Sequence, residues 1–174
     1  MKLQLIYQDG KAYIKEDNRF IYQIEEEKEQ GLLTIHLNNM YGEEIVSVYQ
    51  VSKLSTMLNK KKNDFTIYDH DLKLGELHKV DGSYEIQYHG IYYRFFGGLH
   101  LTKRHIICFD QEQQIAEFIF DQECVVRFRN ITLNPICSLL LYVFDRYIPA
   151  EKFSKKEYLY HYRGLYTDTY EFEG

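Results

Sequence analysis

The sequence predicts a mainly β protein in which a closed antiparallel barrel of about twelve strands surrounds one buried hydrophobic helix near the C-terminus. Three observations support this prediction. The chain has 17 Tyr and 11 Phe but only 2 Pro and no Trp, and aromatic residues favour strands because they fit a pleated, half-buried surface. Apolar and polar residues alternate in steps of two through most of the chain, and one late segment is apolar on every side.

The overall composition narrows the class of protein. The chain has 174 residues, of which 45% are apolar and 27% are charged, and its formal net charge is −5. This balance is typical of a single globular domain and excludes a disordered or collagen-like chain. Binding of nucleic acid needs a basic face that releases counterions, so the acidic balance predicts no nucleic-acid partner.

Strands are predicted wherever the alternation in steps of two is clean. In the run 83–89, for example, every second residue is apolar and is expected to face the core. Turn pairs such as Asp81-Gly82 separate these runs, because Asp-Gly and Gly-Gly supply the positive φ of tight hairpins. We assign Gly97-Gly98 to a hairpin turn on the same grounds. About ten to twelve strands then precede residue 131, joined as a meander.

One segment breaks the alternation and predicts a helix over residues 134–148. Asn134 is a suitable N-cap, Pro135 suits the first helical position, and Pro149 ends the segment. Apolar residues cover nearly the whole circumference between them, so the helix must be enclosed by protein or lipid. The run from 136 to 148 spans only about 20 Å, whereas a bilayer core needs roughly 30 Å, so we expect strands to enclose it.

The cysteines and the first residues favour a cytoplasmic protein. Cys108, Cys124 and Cys137 are an odd number with no CxxC pair, which argues against a disulfide framework and a four-cysteine zinc site. The first nine residues lack the apolar stretch of a secretory signal. We therefore expect a cytoplasmic location, with peripheral attachment to a membrane as an open alternative.

No local motif for catalysis or cofactor binding occurs in the sequence. G-x-S-x-G and the glycine-rich phosphate-binding loops are all missing. The histidines show no metal-ligand spacing, since His100 and His105 fall on opposite faces of a strand, and we expect ordinary surface or turn histidines. We predict no catalytic residue, no metal and no cofactor, and a binding module instead of an enzyme. A hydrolase whose carboxylates are assembled only by folding remains an alternative.

Lys60, Lys61 and Lys62 form the one basic cluster and are our candidate ligand-binding residues. An anionic lipid or membrane surface would be attracted to them by about 1 kcal/mol per lysine. Stable recruitment usually needs a second signal, and a solvated loop is the simpler interpretation of the same residues. The acidic run 25–29 is likewise interpreted as a solvated hairpin tip.

A weak internal repeat joins an Asx or acidic turn to a small residue followed by Glu. We expect the Asx side chain to close the turn on its own backbone and the small residue to let the returning strand pass close to its neighbour. The three copies are Asn38 with Gly42-Glu43, Asp71 with Gly75-Glu76, and Asp110 with Ala116-Glu117. Together with the late apolar helix that carries Asp145, this pattern resembles the tubby C-terminal-like superfamily, which includes the LURP-one-related proteins and the phospholipid scramblases. The third copy departs from the family because Ala116 replaces its glycine.

The resemblance implies a bacterial-type family member with a twelve-stranded barrel around a central helix at 1–149 and a Tyr-rich C-terminal extension at 150–174. The tubby lysine and arginine that hold phosphoinositides have no counterpart here, so that function is not carried over to particular residues. The extension alternates Tyr158, Tyr160 and Tyr162 with other residues, which suggests an extra outer strand or a segment that orders on a partner. The two functional expectations are therefore binding of an anionic lipid or another anionic ligand, and a protein-interaction or scaffolding role for the extension.

Overall fold

Twelve antiparallel strands close into a barrel in the computed structural model, which describes residues 1–50, 65–100 and 102–164, without the side chains of 100 and 162–164. Each strand pairs with its neighbours in the sequence, and β1 closes the barrel by pairing with β12. In that last pair Leu3 lies opposite Val126. The predicted fold class, a closed twelve-stranded antiparallel barrel with one helix near its C-terminal end, is confirmed.

The strands follow one another as a meander, as the alternation predicts. Their bounds are β1 Lys2–Gln8, β2 Lys11–Glu16, β3 Arg19–Glu29, β4 Leu32–Asn39, β5 Glu44–Gln50, β6 Phe65–Asp69, β7 Leu72–Val80, β8 Ser83–Tyr88, β9 Ile91–His100, β10 Lys103–Phe109, β11 Gln114–Phe120 and β12 Cys124–Phe128. Helix α1 covers Asn134–Arg146 and helix α2 covers Lys155–Gly164, and short 3-10 turns at Ile131–Leu133 and Ala150–Lys152 precede them.

Helix α1 is buried on every side, because the consecutive residues Ile136–Phe144 are all buried. Phe144 packs against the inward-facing rings of Phe95 and Phe118, with both pairs of ring centroids 5.2 Å apart. Each such apolar side chain gains roughly 1.5–3 kcal/mol on burial, so α1 is the centre of the hydrophobic core. The helix leaves little free space: the cavity beside Leu140 has a volume of about 20 Å³, close to what one water needs.

Helix α1 begins and ends differently from the prediction. Asn134 is its first helical residue instead of its N-cap, and its side chain accepts a hydrogen bond from the Ser138 hydroxyl at 3.3 Å. The capping side chain is Asn130, whose Oδ1 accepts from the backbone N–H of Thr132 at 3.0 Å and so caps the preceding 3-10 turn. The helix ends at Arg146, two residues before the predicted position 148. The next residue, Tyr147, donates its backbone N–H to the Val143 carbonyl.

The segment after Pro149 crosses the barrel rim and packs against the outer wall as a helix. Phe153 joins the main core, and the Ser154 N–H donates to the Gly82 carbonyl at 2.8 Å. Helix α2 then lies against the outer face of β9. The expected extra strand is therefore wrong for residues 155–164, and residues 165–174 lie outside the described part of the chain.

Gly97 and Gly98 lie inside β9 and not in the hairpin turn that the sequence suggested. A Cβ atom built on Gly97 would lie 2.6 Å from the Phe153 ring, and one built on Gly98 would lie 2.4 Å from the Tyr158 ring. Consecutive strand residues face opposite sides of the wall. The pair therefore makes room on the inner face for Phe153 and on the outer face for Tyr158.

The repeated acidic turns differ in part from the prediction, because Asn39 closes the first turn in place of the predicted Asn38. Asn39 Oδ1 accepts the backbone N–H groups of Tyr41 and Glu43, and Asp110 Oδ1 closes the later turn in the same way. The small residue is needed for close passage at Gly75, where a Cβ atom would lie 1.9 Å from the Gln87 carbonyl oxygen. Gly42 has a different role, because it adopts a positive φ of 87° in the turn itself.

Candidate functional site

Polar and aromatic side chains gather at the barrel end where α1 terminates. We call this end the mouth and define it by Tyr7, Glu26, Tyr142, Asp145, Arg146 and Tyr147. Antiparallel pairing brings the last residues of β1 and β3 to this end together with the C-terminal turn of α1. Residues distant in sequence therefore share one surface.

Glu26 holds two phenol groups at the mouth. The hydroxyls of Tyr142 and Tyr147 both donate to its Oε1. Burial raises the pKa of both phenols above the ordinary value, and the hydrogen bonds to Glu26 raise it further. Both tyrosines are therefore neutral donors, and their rings are fixed in place by one carboxylate on the opposite wall.

Asp145 forms the second anchoring point. Its Oδ2 accepts from the Tyr7 hydroxyl at 2.6 Å, and its Oδ1 lies 3.4 Å from a guanidinium nitrogen of Arg104. The Cys124 thiol also donates to Oδ1, at 3.5 Å. Burial and the neighbouring Asp145 carboxylate raise the pKa of this thiol to about 12, so Cys124 is protonated at neutral pH and is a poor nucleophile.

The aromatic rings form a continuous wall against which Arg146 lies. The Tyr7 and Tyr142 ring centroids are 6.3 Å apart at an interplanar angle of 47°, and the Tyr142 and Tyr147 centroids are 6.5 Å apart. The guanidinium carbon of Arg146 lies 5.5 Å from the Tyr7 centroid and 5.9 Å from the Tyr142 centroid. These distances are within the range of cation–π attraction.

An open cavity of about 380 Å³ lies over this wall. Among the described residues, Glu25, Glu26 and Glu27 of β3 line this cavity, and so do the basic groups of Lys11 and Arg146. Glu26 is therefore not part of a solvated hairpin tip, as the sequence suggested, because two phenols from the helix side bind it. The arrangement presents aromatic faces backed by carboxylates to an entering ligand.

The predicted ligand-binding residues Lys60, Lys61 and Lys62 lie outside the described residues, in the connection between β5 and β6. The strand ends that flank this connection, Gln50 and Phe65, lie at the mouth end of the barrel, and the Phe65 ring lies 6.3 Å from the Tyr147 ring. Sequence reasoning missed the tyrosines and Glu26 as site residues. The available signal was Asp145 within an apolar helix, three residues after Tyr142 and therefore on the same face.

A second open cavity, of about 620 Å³, lies on the outer wall between β7 and the β8–β9 turn. An ion pair between Lys73 and Glu76, at 2.6 Å, forms part of its polar lining. The exposed side chains of Leu72 and Tyr92 form part of its apolar lining. The Nδ1 atom of His78, a residue that also lines it, is buried without a hydrogen-bond partner among the described residues.

A buried chain of polar groups fastens α2 to the wall. The Tyr158 hydroxyl lies 2.8 Å from His105 Nδ1, His105 Nε2 lies 3.1 Å from Glu117, and Arg127 lies 3.4 Å from the other Glu117 oxygen. His105 is only 5% exposed, so it is neither the surface nor the turn histidine that we expected. Tyr158, His105 and Glu117 are all buried, so this chain of polar groups joins α2 to the barrel wall out of contact with solvent.

Residues 1–50, 65–100 and 102–164 contain no group of three His, Cys, Asp or Glu side chains that could hold a metal ion. No helix in this part of the chain is long and apolar enough to cross a bilayer.

Comparisons with known proteins show the fold and nothing narrower. No protein-family model matches the sequence, and a search of curated proteins also finds no match. An X-ray structure of a protein from Arabidopsis thaliana is similar, with 14% sequence identity and a TM-score of 0.55, over 83% of this chain and 89% of that chain. The protein therefore belongs to the class of closed antiparallel barrels that carry one buried helix.

Proposed function

We propose that this protein is a tubby-like barrel of the LURP-one-related type that acts as a non-enzymatic binding module for an anionic lipid or another anionic ligand. The closed barrel, the central helix and the similar structure from Arabidopsis support the family assignment. We further propose a cytoplasmic protein that attaches peripherally to a membrane surface.

The packing of α1 is the observation that carries the proposal of a surface binding module. Small barrels that bind ligands inside need an open chamber, whereas here the cavity beside α1 measures only about 20 Å³. A lipid head group must then bind on the rim or on the outer wall. Large open cavities occur in both of these places.

The mouth is the end that we expect to face an anionic surface. The strand ends Gln50 and Phe65, which flank the segment with Lys60, Lys61 and Lys62 in the sequence, lie there, and Lys11 and Arg146 are exposed at the same end. Each lysine near an anionic bilayer contributes about 1 kcal/mol. Because the whole chain is acidic, with a net charge of −5, binding should depend on this local cluster and weaken with salt.

Vesicle sedimentation tests this proposal. The full chain is mixed with phosphatidylcholine vesicles that contain or lack phosphatidylserine, at low and at high salt. We expect binding only to the phosphatidylserine vesicles at low salt. The triple variant Lys60/Lys61/Lys62→Ala should weaken this binding by up to about 100-fold, the equivalent of roughly 3 kcal/mol.

A matched control removes the same charge from the opposite end of the barrel. Lys2, Lys15 and Arg19 lie near that end, and the triple variant Lys2/Lys15/Arg19→Ala should bind vesicles much more tightly than the Lys60/Lys61/Lys62 variant. If both triple variants lose the same amount of vesicle affinity, the binding depends only on the overall charge of the chain. That result would contradict the proposed site. Equal binding to vesicles with and without phosphatidylserine would contradict the proposal that the ligand is anionic.

Protein interaction through the C-terminal extension is the second candidate function. Helix α2 packs Tyr158 inward but leaves Leu159 47% exposed and Tyr160 75% exposed. Adjacent exposed apolar side chains are typical of a contact surface. We therefore propose that the outer face of α2 contacts a protein partner.

Substitutions test this second function better than truncation, since removal of the extension would also remove Phe153 from the core. The double variant Leu159→Ser/Tyr160→Ser should lose a partner that the wild-type chain retains in an affinity pull-down from a bacterial lysate. Lys155→Ser on the same helix is the control and should retain it. An unchanged set of partners in the first variant argues against the interaction.

A further inference from the structure

We propose that the mouth cavity is a binding site for a quaternary ammonium group, which replaces the Arg146 guanidinium on the faces of Tyr7 and Tyr142. This inference goes beyond the proposed function, because the ligand group is cationic and the site does not include Lys60, Lys61 or Lys62. It rests on the cation–π geometry, the fixed rings, the charge of the lining and the shape of the cavity.

The position of Arg146 identifies the ring faces that attract a cation. Its guanidinium carbon lies 5.5 Å and 5.9 Å from the Tyr7 and Tyr142 centroids, which is the range over which a ring quadrupole attracts positive charge. Arg146 itself is exposed on the last turn of α1. A flexible, exposed side chain can move aside at small cost, so an external cation can take its place.

The rings are held in position before any ligand arrives. The Tyr7 hydroxyl donates to Asp145, and the Tyr142 hydroxyl donates to Glu26. A phenol held by a hydrogen bond has less rotational freedom to lose, and a preorganised site loses less free energy on binding than a mobile one. The two carboxylates contact the hydroxyl ends of the rings, and Arg146 covers the faces, so that Tyr142 is only 4% exposed while Arg146 is in place.

The charge of the lining favours a cation once Arg146 has moved. Glu25, Glu26 and Glu27 line the cavity together with Lys11, and Glu27 also lies 3.5 Å from His36 Nε2. A quaternary ammonium group needs no hydrogen-bond acceptor, and it suits a wall on which the carboxylates Glu26 and Asp145 already accept bonds from phenols. A metal ion needs several free oxygen ligands, so it suits this wall less well.

The size of the cavity is adequate for such a head group. Its volume of about 380 Å³ lies within the range of small-molecule sites, roughly 300–1,000 Å³. One side is open to solvent, so a ligand whose ammonium group is attached to a longer chain can also enter. The ligand class is thus a choline-like group, either free or as part of a phosphocholine.

Calorimetric titration of the full chain with choline tests the proposal. Wild-type protein should bind choline weakly because Arg146 competes, and Arg146→Ala should bind it about tenfold more tightly. The uncharged analogue 3,3-dimethylbutan-1-ol has the same shape and should bind Arg146→Ala about tenfold more weakly than choline does. Arg19→Ala at the opposite end of the barrel is the matched control and should behave as wild type.

Two variants of Tyr7, made with Arg146→Ala, separate the ring from its hydroxyl. Tyr7→Phe keeps the aromatic face and should retain choline affinity within about twofold, whereas Tyr7→Leu should lose about tenfold. Tyr7 is 45% exposed, so neither change should prevent folding; both variants lose the hydrogen bond to Asp145, and a single cooperative melting transition checks that each is folded. Equal affinities of the Phe and Leu variants would overturn the proposal.

Further outcomes distinguish the source of the ligand and the independence of the two sites. If phosphocholine binds more tightly than choline, the natural ligand is a phospholipid head group. If the two compounds bind equally, the natural ligand is a free ammonium compound. Either result supports the site. Folded Arg146→Ala protein that binds neither compound overturns it. The variant Lys60/Lys61/Lys62→Ala should keep choline binding, so a negative vesicle experiment leaves this inference standing.

Discussion

Glu26 shows how one residue organises the mouth. Its carboxylate accepts hydrogen bonds from Tyr142 on α1 and from Tyr147 just after it, and so joins β3 to the end of the helix. Hydrogen bonds to a charged group contribute about 1.5–3 kcal/mol each. The same bonds favour the protonated phenols, because a phenolate beside a carboxylate would be repelled.

This arrangement predicts a loss of stability at alkaline pH. The pKa of Tyr142 is raised in the folded state, first by burial and then by Glu26, whereas an unfolded phenol has a pKa of about 10. The stabilisation is fully present below about pH 10, and it falls as the pH rises from there towards the folded pKa. The phenol then releases its proton only on unfolding, which lowers the free energy of unfolding by about 1.4 kcal/mol per pH unit.

Urea unfolding between pH 9 and about pH 11 measures this contribution. Tyr142→Phe should be less stable than wild type at neutral pH, because it loses a hydrogen bond, yet its stability should fall less steeply above about pH 10. Tyr41→Phe is the control, since Tyr41 is 93% exposed, and it should follow the wild-type curve. A wild-type slope in Tyr142→Phe would contradict the linkage.

At the scale of the element, α2 depends on a groove in the barrel wall. Gly98 leaves the space that the Tyr158 ring occupies, and Tyr158 in turn reaches His105 through a 2.8 Å hydrogen bond. Phe96 and Ile107 pack around the same ring to form a small hydrophobic cluster outside the barrel. The strand and the helix therefore fit together closely, because one additional carbon atom on Gly98 would clash with the Tyr158 ring.

Gly98→Ala should loosen α2. The added methyl group would lie 2.4 Å from the Tyr158 ring, and overpacking of this kind costs typically about 1–3 kcal/mol. The midpoint of denaturant unfolding measures the loss. In a double-mutant cycle the same change should cost much less with Tyr158→Ala, which removes the clashing ring. If the losses in free energy of unfolding of the two single variants simply add in the double variant, Gly98 does not make room for the Tyr158 ring.

At the scale of the whole molecule, barrel and extension share one core. Phe153 belongs to the same cluster of buried side chains as Phe144 and Leu3, so the boundary that we drew at residue 149 does not separate two independent packing units. The barrel is closed by pairing between its first and last strands, and the terminal amino group of Met1 also donates to the Phe128 carbonyl at 2.9 Å.

Removal of residues 150–174 should therefore destabilise the barrel itself. Loss of a buried Phe side chain alone costs about 3–5 kcal/mol, so we expect the truncated chain to melt well below the full chain, both in single cooperative transitions. Phe153→Ala should reproduce much of this loss, and Leu159→Ala, at an exposed position, should not. A truncated chain with an unchanged melting temperature would make the extension a separate unit. Calorimetry measures all four proteins.

The amino-acid sequence alone determined most of the strands and the central helix of this protein, but not helix α2. Alternation with a period of two specifies strands, and an apolar surface on all sides of residues 136–144 requires an enclosed helix; both are local properties that can be derived from neighbouring residues. Only the tertiary structure decided which polar groups meet. Tyr142 and Glu26 are 116 positions apart, and Gly97-Gly98 became a strand because later residues fill the space beside them. Such contacts depend on strand register and barrel closure, which are set by the packing of the whole chain at once.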